Sequence, residues 1–208
     1  MSKFKQIEKV EKPSSLPSTP VHKPRRLSLT SLTNPTNPTN STHLYNGEIV
    51  QKTDKIISTM GTIEELIAYL GVIKATFFTS EITISSFDIA VSAKLFLGAQ
   101  FTKIQETLLE ILAYIGKKNS KISISEERIK DLLTEIDQFK VNIDFPKDSP
   151  VSIIPGSSLL EAQLLFARTI CRRVERQIRN CKNTTEICNN YINKLADYLL
   201  MLSVFLLR

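Results

Sequence analysis

The run from Phe166 to Arg179, FARTICRRVERQIR, constrains this chain more than any other stretch. Arg168, Arg172 and Arg176 recur every four residues, with Glu175 beside the last. At about 3.6 residues per turn these cations line one stripe of a helix, and Phe166, Ile170, Val174 and Ile178 recur on the opposite side. Such a helix must lay its apolar face on another element. Like charges four residues apart repel and weaken an isolated helix. A row of them therefore points to an anion. Polyphosphate is the first candidate, because a guanidinium fork grips phosphate oxygens in pairs. The competing reading is a solvated basic face with Glu175 as intrahelical partner.

The helical period continues elsewhere. Ile57, Met60, Ile63, Leu66, Ile67 and Leu70 form a stripe over residues 54–74. Residues 86–117 give a second helical stretch with a break expected near Gly98. Ser125, followed by Glu126, Glu127 and Arg128, reads as an N-cap opening a helix to about residue 140. Pro146, Pro150, Pro155 and Gly156 mark 145–158 as a loop, and 159–180 and 186–208 complete the set. Five helices with no convincing strand predict an all-α bundle. No run of apolar residues approaches the ~20 needed to span a bilayer, so no membrane partner is expected.

Charge divides the chain in two. Residues 1–30 hold seven Lys/Arg against two Asp/Glu, which leaves one net positive charge on the remainder. The folded part is nearly neutral and lacks tryptophan, which argues against a general nucleic-acid surface. Residues 1–33, rich in Lys, Pro and Ser, read as a disordered basic tail or a targeting segment. Arg25-Arg26-Leu27-Ser28 within it resembles a basophilic kinase site. Cys171, Cys181 and Cys188 have neither paired nor zinc-ligand spacing, so a disulfide framework and a metal site are not expected. Cys171, inside the arginine run, reads as a small packed side chain.

Five ordered stretches carry a resemblance. ARTICRRVER and NNYINKLADYLL resemble the ARxxCRRAER and FLNRLSDYLF runs of the PduO-type ATP:cob(I)alamin adenosyltransferases. GEIVQKTDKIISTMGTIEELIAYLG is similar to that family's GERxPKDDxxxExxGTxDELxxxIG without a gap. SEERIKDLLTEIDQF and SIIPGSSLLEAQ are similar to its third helix and its FxLPGGS turn. The resemblance covers residues 34–208. It implies a cobalamin adenosyltransferase-like five-helix bundle, assembled as a homotrimer with sites between subunits. The implied reaction moves the 5′-deoxyadenosyl group of ATP to cob(I)alamin, with Mg2+ as cofactor. A cobalamin-dependent mutase and a cobalamin reductase are the implied partners. The family's eukaryotic members are mitochondrial, which implies that compartment, with the cytoplasm as the alternative.

Residue by residue, Arg172, Glu175 and Arg176 match the family's ATP-binding arginines and glutamate, with Arg173 in the same run. Lys52 matches a lysine that reaches ATP phosphate, and Arg172, Glu175, Arg176 and Lys52 are the implied catalytic set. Asn193 matches an asparagine bonded to the nucleotide, and Asp197 an aspartate of the corrinoid pocket. Arg168 matches an arginine that pairs with an acid of the GTxDEL block, here Glu64, across a subunit boundary. The family's TxTGDxGxTSL phosphate loop falls on residues 34–44, which adds Asn34, Thr36, Asn37, Thr42 and His43 to the ATP contacts. The chain departs from the pattern in two places, the phosphate loop and the turn at Ser152. Asn37 and Asn40 replace glycines and Pro38 replaces the loop's aspartate, removing an acid and an amide donor. Ser152 stands where the family has an apolar phenylalanine in the corrinoid pocket. Two functions therefore stay open: an active adenosyltransferase, or a non-catalytic trimeric relative serving as a nucleotide- or corrinoid-binding scaffold or chaperone.

Overall fold

The computed structural model describes residues 40–79, 87–117, 124–142, 153–181 and 184–206. It opens with a hairpin of β1 (Ser41–His43) and β2 (Ile49–Gln51), paired antiparallel with Thr42 opposite Val50. The sequence reading held no strand here. The missed signal is Asn46-Gly47: Gly47 takes φ +83°, the left-handed conformation of such turns, and the Asn46 side chain accepts the Glu48 N–H at 3.0 Å. Leu44 N–H donates to Glu48 O at 2.8 Å and closes the loop. Leu44 is buried, and the Tyr45 ring covers Gly116, where a Cβ would lie 2.4 Å from it. The hairpin is thereby pinned to the bundle.

Five helices follow: α1 (Lys55–Thr79), α2 (Phe87–Gly116), α3 (Glu126–Asn142), α4 (Leu159–Arg179) and α5 (Glu186–Phe205). Asp54 Oδ1 accepts the Ile56 N–H at 2.9 Å and caps α1, which runs five residues beyond the expected Lys74. α2 passes through Gly98 without the expected break. Glycine is there for space: a Cβ at Gly98 would meet the Phe78 ring of α1 at 2.5 Å. Ser158 Oγ accepts the Glu161 N–H at 3.1 Å to start α4. The expected starts and ends at residues 86, 145–152 and 207–208, and the tail before residue 34, lie outside the described residues.

Contacts run α2–α1–α4–α5–α3, so the arginine helix sits between α1 and α5. Its Leu164, Ala167, Cys171, Val174 and Ile178 are buried, alternating three and four residues apart, and Ile170 is buried beside them. Phe166 falls at the edge of that seam. It is 52% exposed and meets the Tyr69 ring edge-on at 4.9 Å, rather than entering the core as its four-residue spacing implied. α1 contains an 18-residue window of mean hydropathy 1.5, long and apolar enough to cross a membrane, which corrects the expectation that no segment approaches one. Ile63, Leu66, Leu70 and Ile73 of that helix have no exposed surface and pack within the bundle, so its apolar character is used by the core.

Between α3 and α5, Glu135 is buried with the Tyr198 hydroxyl beside it. Burial raises its pKa to about 7; the Tyr198 hydroxyl and Lys103 temper that rise, and the charge of Asp131 adds to it. A carboxyl whose folded pKa exceeds its unfolded value binds more protons when folded. Its contribution is fully present below about pH 4.5 and is lost as pH rises through about 7. Glu135→Gln should therefore flatten the decline in melting temperature between pH 5 and 8 and raise the midpoint at pH 8 by roughly 2–6 °C. Equal slopes for the two proteins in a pH series of thermal melts would show that Glu135 is not the titrating group.

Candidate functional site

α4 presents its cations outward because its opposite face is taken up by α1 and α5. Along that stripe the charges are not equivalent. Arg173 pairs with Glu65 of α1, and Arg179 pairs with Glu175 at 3.2 Å. Glu175 Oε1 also accepts from Asn193 Nδ2 of α5 at 3.3 Å, which places two of the expected nucleotide residues in contact across the α4–α5 seam. Arg172 and Arg176 are exposed, and no ion pair among the described residues engages either. Two neighbouring cations are thus left without a carboxylate, whereas Arg173 and Arg179 on the same helix are paired. Guanidinium groups so placed are free to take an anion.

Arg168 lies one turn nearer the start of α4. Its Nε is buried and has no hydrogen-bond partner. Glu64, its expected partner, is exposed on α1, close enough to the Tyr45 hydroxyl to add its charge to the burial that raises that phenol's pKa. Within the protomer the α1–α4 ion pair is Glu65–Arg173, one position along on α1, a partner the sequence reading missed. Asp197 is exposed on α5 and pairs with Lys194 at 3.1 Å.

Cys171 sits under the stripe, with its Sγ donating to Ile192 O at 3.3 Å. Burial raises its pKa, and the charges of Glu175 and Asp197 raise it further against the pull of Arg168. The thiol is therefore protonated and packed, as the sequence predicts, rather than nucleophilic.

Lys52 is exposed at the end of β2, where its backbone N–H donates to Asn40 O at 2.6 Å. Thr42 and His43 lie on β1, half-buried and exposed respectively. A cleft of about 500 Å3 separates the hairpin from the end of α4, lined by Leu44, Glu48, Asp54, Lys55, Asn180 and neighbours. Neither Lys52 nor the arginines line it, so one protomer does not close around a phosphate chain through this cleft. Asn34, Thr36, Asn37 and Ser152 lie outside the described residues.

The sequence reading also missed Glu161. It is fully buried, and its Oε2 accepts the Gly156 N–H at 2.9 Å. The Ser158-x-x-Glu161 spacing of a capping box was the available signal.

Residues 33–206 match the family model for cobalamin adenosyltransferases. The chain belongs to the cobalamin adenosyltransferase family. A curated relative, the corrinoid adenosyltransferase of Citrobacter freundii, is 32% identical over 164 residues, covering 76% of this chain and 84% of that protein. The corrinoid adenosyltransferase PduO of Salmonella typhimurium is 28% identical over 170 residues, 78% of this chain and 45% of that protein. Among solved structures, a variant PduO-type ATP:corrinoid adenosyltransferase from Lactobacillus reuteri complexed with cobalamin and ATP superposes with a TM-score of 0.65 at 23% identity. That superposition covers 80% of this chain and 88% of the other. Another variant of that enzyme, complexed with ATP, gives 0.64 at 22% identity over 80% and 89%. The all-α fold is thus that of the PduO-type enzymes, with the hairpin added to the five expected helices.

The charge pattern predicts unequal arginines. Arg172→Ala or Arg176→Ala should weaken ATP binding roughly tenfold to a hundredfold, the worth of a charge-assisted contact at about 1.5–3 kcal/mol. Arg173→Ala breaks an exposed pair worth about 0–1 kcal/mol and should change affinity less than about fivefold. Calorimetric titration with matched circular dichroism checks both; three equal effects would mean a diffuse basic face.

Proposed function

We propose that this chain transfers the 5′-deoxyadenosyl group of ATP to cob(I)alamin and releases triphosphate, acting as a homotrimer with sites between subunits. The observation that carries the reading is the uncompensated pair Arg172 and Arg176, on the helix whose sequence most resembles the family's. In the reaction, the electron pair of cobalt(I) forms the bond to C5′ while the C5′–oxygen bond breaks, so the corrinoid supplies the hard chemistry. The chain's own task is to hold ATP with C5′ presented and to offset the charge of the leaving triphosphate.

Arg172 and Arg176 take the phosphate oxygens, and Lys52, with Thr42 and His43 of β1, approaches the chain of phosphates from a neighbouring subunit. Asn34, Thr36 and Asn37 extend that contact. Glu175, held by Asn193, fixes the nucleoside side, while Ser152 and Asp197 belong to the corrinoid side. Mg2+ binds through substrate phosphates and few protein carboxylates.

The subunit boundary rests on Arg168. Arg168 is only half-buried and has no ion pair among the described residues, and Glu64 of a neighbouring copy is its proposed partner. The exposed α1–α4 surface bearing Phe166, Val72 and Tyr69 would be covered by the same contact. The basic tail fits a mitochondrial targeting segment, with a cytoplasmic protein as the alternative, and a cobalamin-dependent mutase and a cobalamin reductase are the proposed partners. Pro38 and Ser152 favour the second reading, a trimeric nucleotide- or corrinoid-binding scaffold.

The deciding experiment is an anaerobic assay with ATP, Mg2+ and chemically reduced cobalamin, following the cobalt–carbon bond by its absorption spectrum. Turnover is expected; ATP and corrinoid binding without turnover would establish the scaffold instead. For the boundary, light scattering should give a trimer. Glu64→Ala and Arg168→Ala should each weaken it by several kcal/mol and be far from additive together. A monomer, or strict additivity, would remove the intersubunit pair.

A further inference from the structure

We propose that Glu161 is a positioning residue for the corrinoid, holding the turn before α4 in the shape that receives the macrocycle; the inference rests on the activity proposed above. Helix capping does not account for this side chain. Ser158 Oγ already accepts the Glu161 N–H at 3.1 Å. In a capping box the glutamate reaches back to the N–H of the capping residue itself. Here Oε2 passes Ser158 and accepts from Gly156, two residues further out and beyond the helix, at 2.9 Å.

The carboxylate does this from a site with no exposed surface, and its Oε1 has no hydrogen-bond partner. A carboxylate is costly to bury half-satisfied, so it marks a constraint that the helix alone does not require. The constraint falls on Gly156, whose φ of +126° no side-chain-bearing residue adopts readily. On either side of it, Ile154 is 87% and Leu159 68% exposed. The bond therefore fixes an apolar ledge of Ile154, Pro155 and Leu159 facing outward. Such a ledge suits the flat, largely apolar face of a corrin ring.

The test compares Glu161→Leu, Glu161→Gln and Ser158→Ala with the parent in the anaerobic assay, varying cob(I)alamin and ATP separately. Leucine fills the site without an acceptor, and the Gly156 N–H it releases is at the surface and can bond water. Glu161→Leu should raise the KM for cobalamin roughly fivefold to tenfold, as loss of one hydrogen bond allows, with the KM for ATP changed less than about twofold. Glu161→Gln keeps an acceptor and should restore the parent value. Ser158→Ala should lower the melting temperature without moving the corrinoid KM. Equal shifts for both substrates, an unchanged corrinoid KM in Glu161→Leu, or a raised one in Ser158→Ala would each overturn the assignment while leaving the proposed activity standing. A parent that neither binds nor adenosylates cobalamin would overturn both. Should Glu161→Leu fail to fold, amide hydrogen exchange in the parent decides: protection of Gly156 is expected, and free exchange would overturn the inference.

Discussion

Everything at the site depends on how α4 is wedged between α1 and α5. Leu164, Ile170, Val174 and Ile178 have almost no exposed surface, and burying each side chain contributes about 1.5–3 kcal/mol. That seam fixes the rotation of the helix about its axis. Once the rotation is set, Arg172 and Arg176 have nowhere to go but outward. The repulsion between cations one turn apart, worth only a few tenths of a kcal/mol per pair, is small beside the apolar seam that holds them in place. Core packing thus maintains a charge arrangement that a free helix would avoid.

The outward surface then sorts its charges by distance to carboxylates. Glu65 on α1 reaches Arg173, and Glu175 on α4 itself reaches Arg179. Neither pairs with Arg172 or Arg176. Glu175 has a double use, because it also orients Asn193 across the seam. A short shift of α5 along α4 would break that contact and alter the polar edge of the site without touching a cation.

Much of this was legible in the sequence, for identifiable reasons. Helix number and order followed from the 3.6-residue period, α3 from its Ser125 cap, and α4 from its stripe and its cations. Gly98 misled because glycine in a helix can mean either a weak point or a close approach, and the Phe78 ring that decides between them lies on another helix. Phe166 misled because four-residue spacing drifts around a helix, carrying the first member of the row off the buried seam. The hairpin was hidden by its brevity: three residues per strand show no alternation, and Asn46-Gly47 was its one strong signal. Which of Glu64 and Glu65 meets an arginine within the protomer is a question of angle around α1. Adjacent positions differ by about 100°, and the sequence carries no reference direction.

The cysteines have a practical consequence. Cys171, Cys181 and Cys188 are all buried, and Cys171 is closed in behind the very stripe on which the site is built. A protonated, enclosed thiol reacts with an alkylating reagent only when its surroundings part. The rate at which Cys171 is labelled is therefore a clock for the breathing of the α4–α5 seam, and the chain carries its own probe of how firmly the arginine helix is seated.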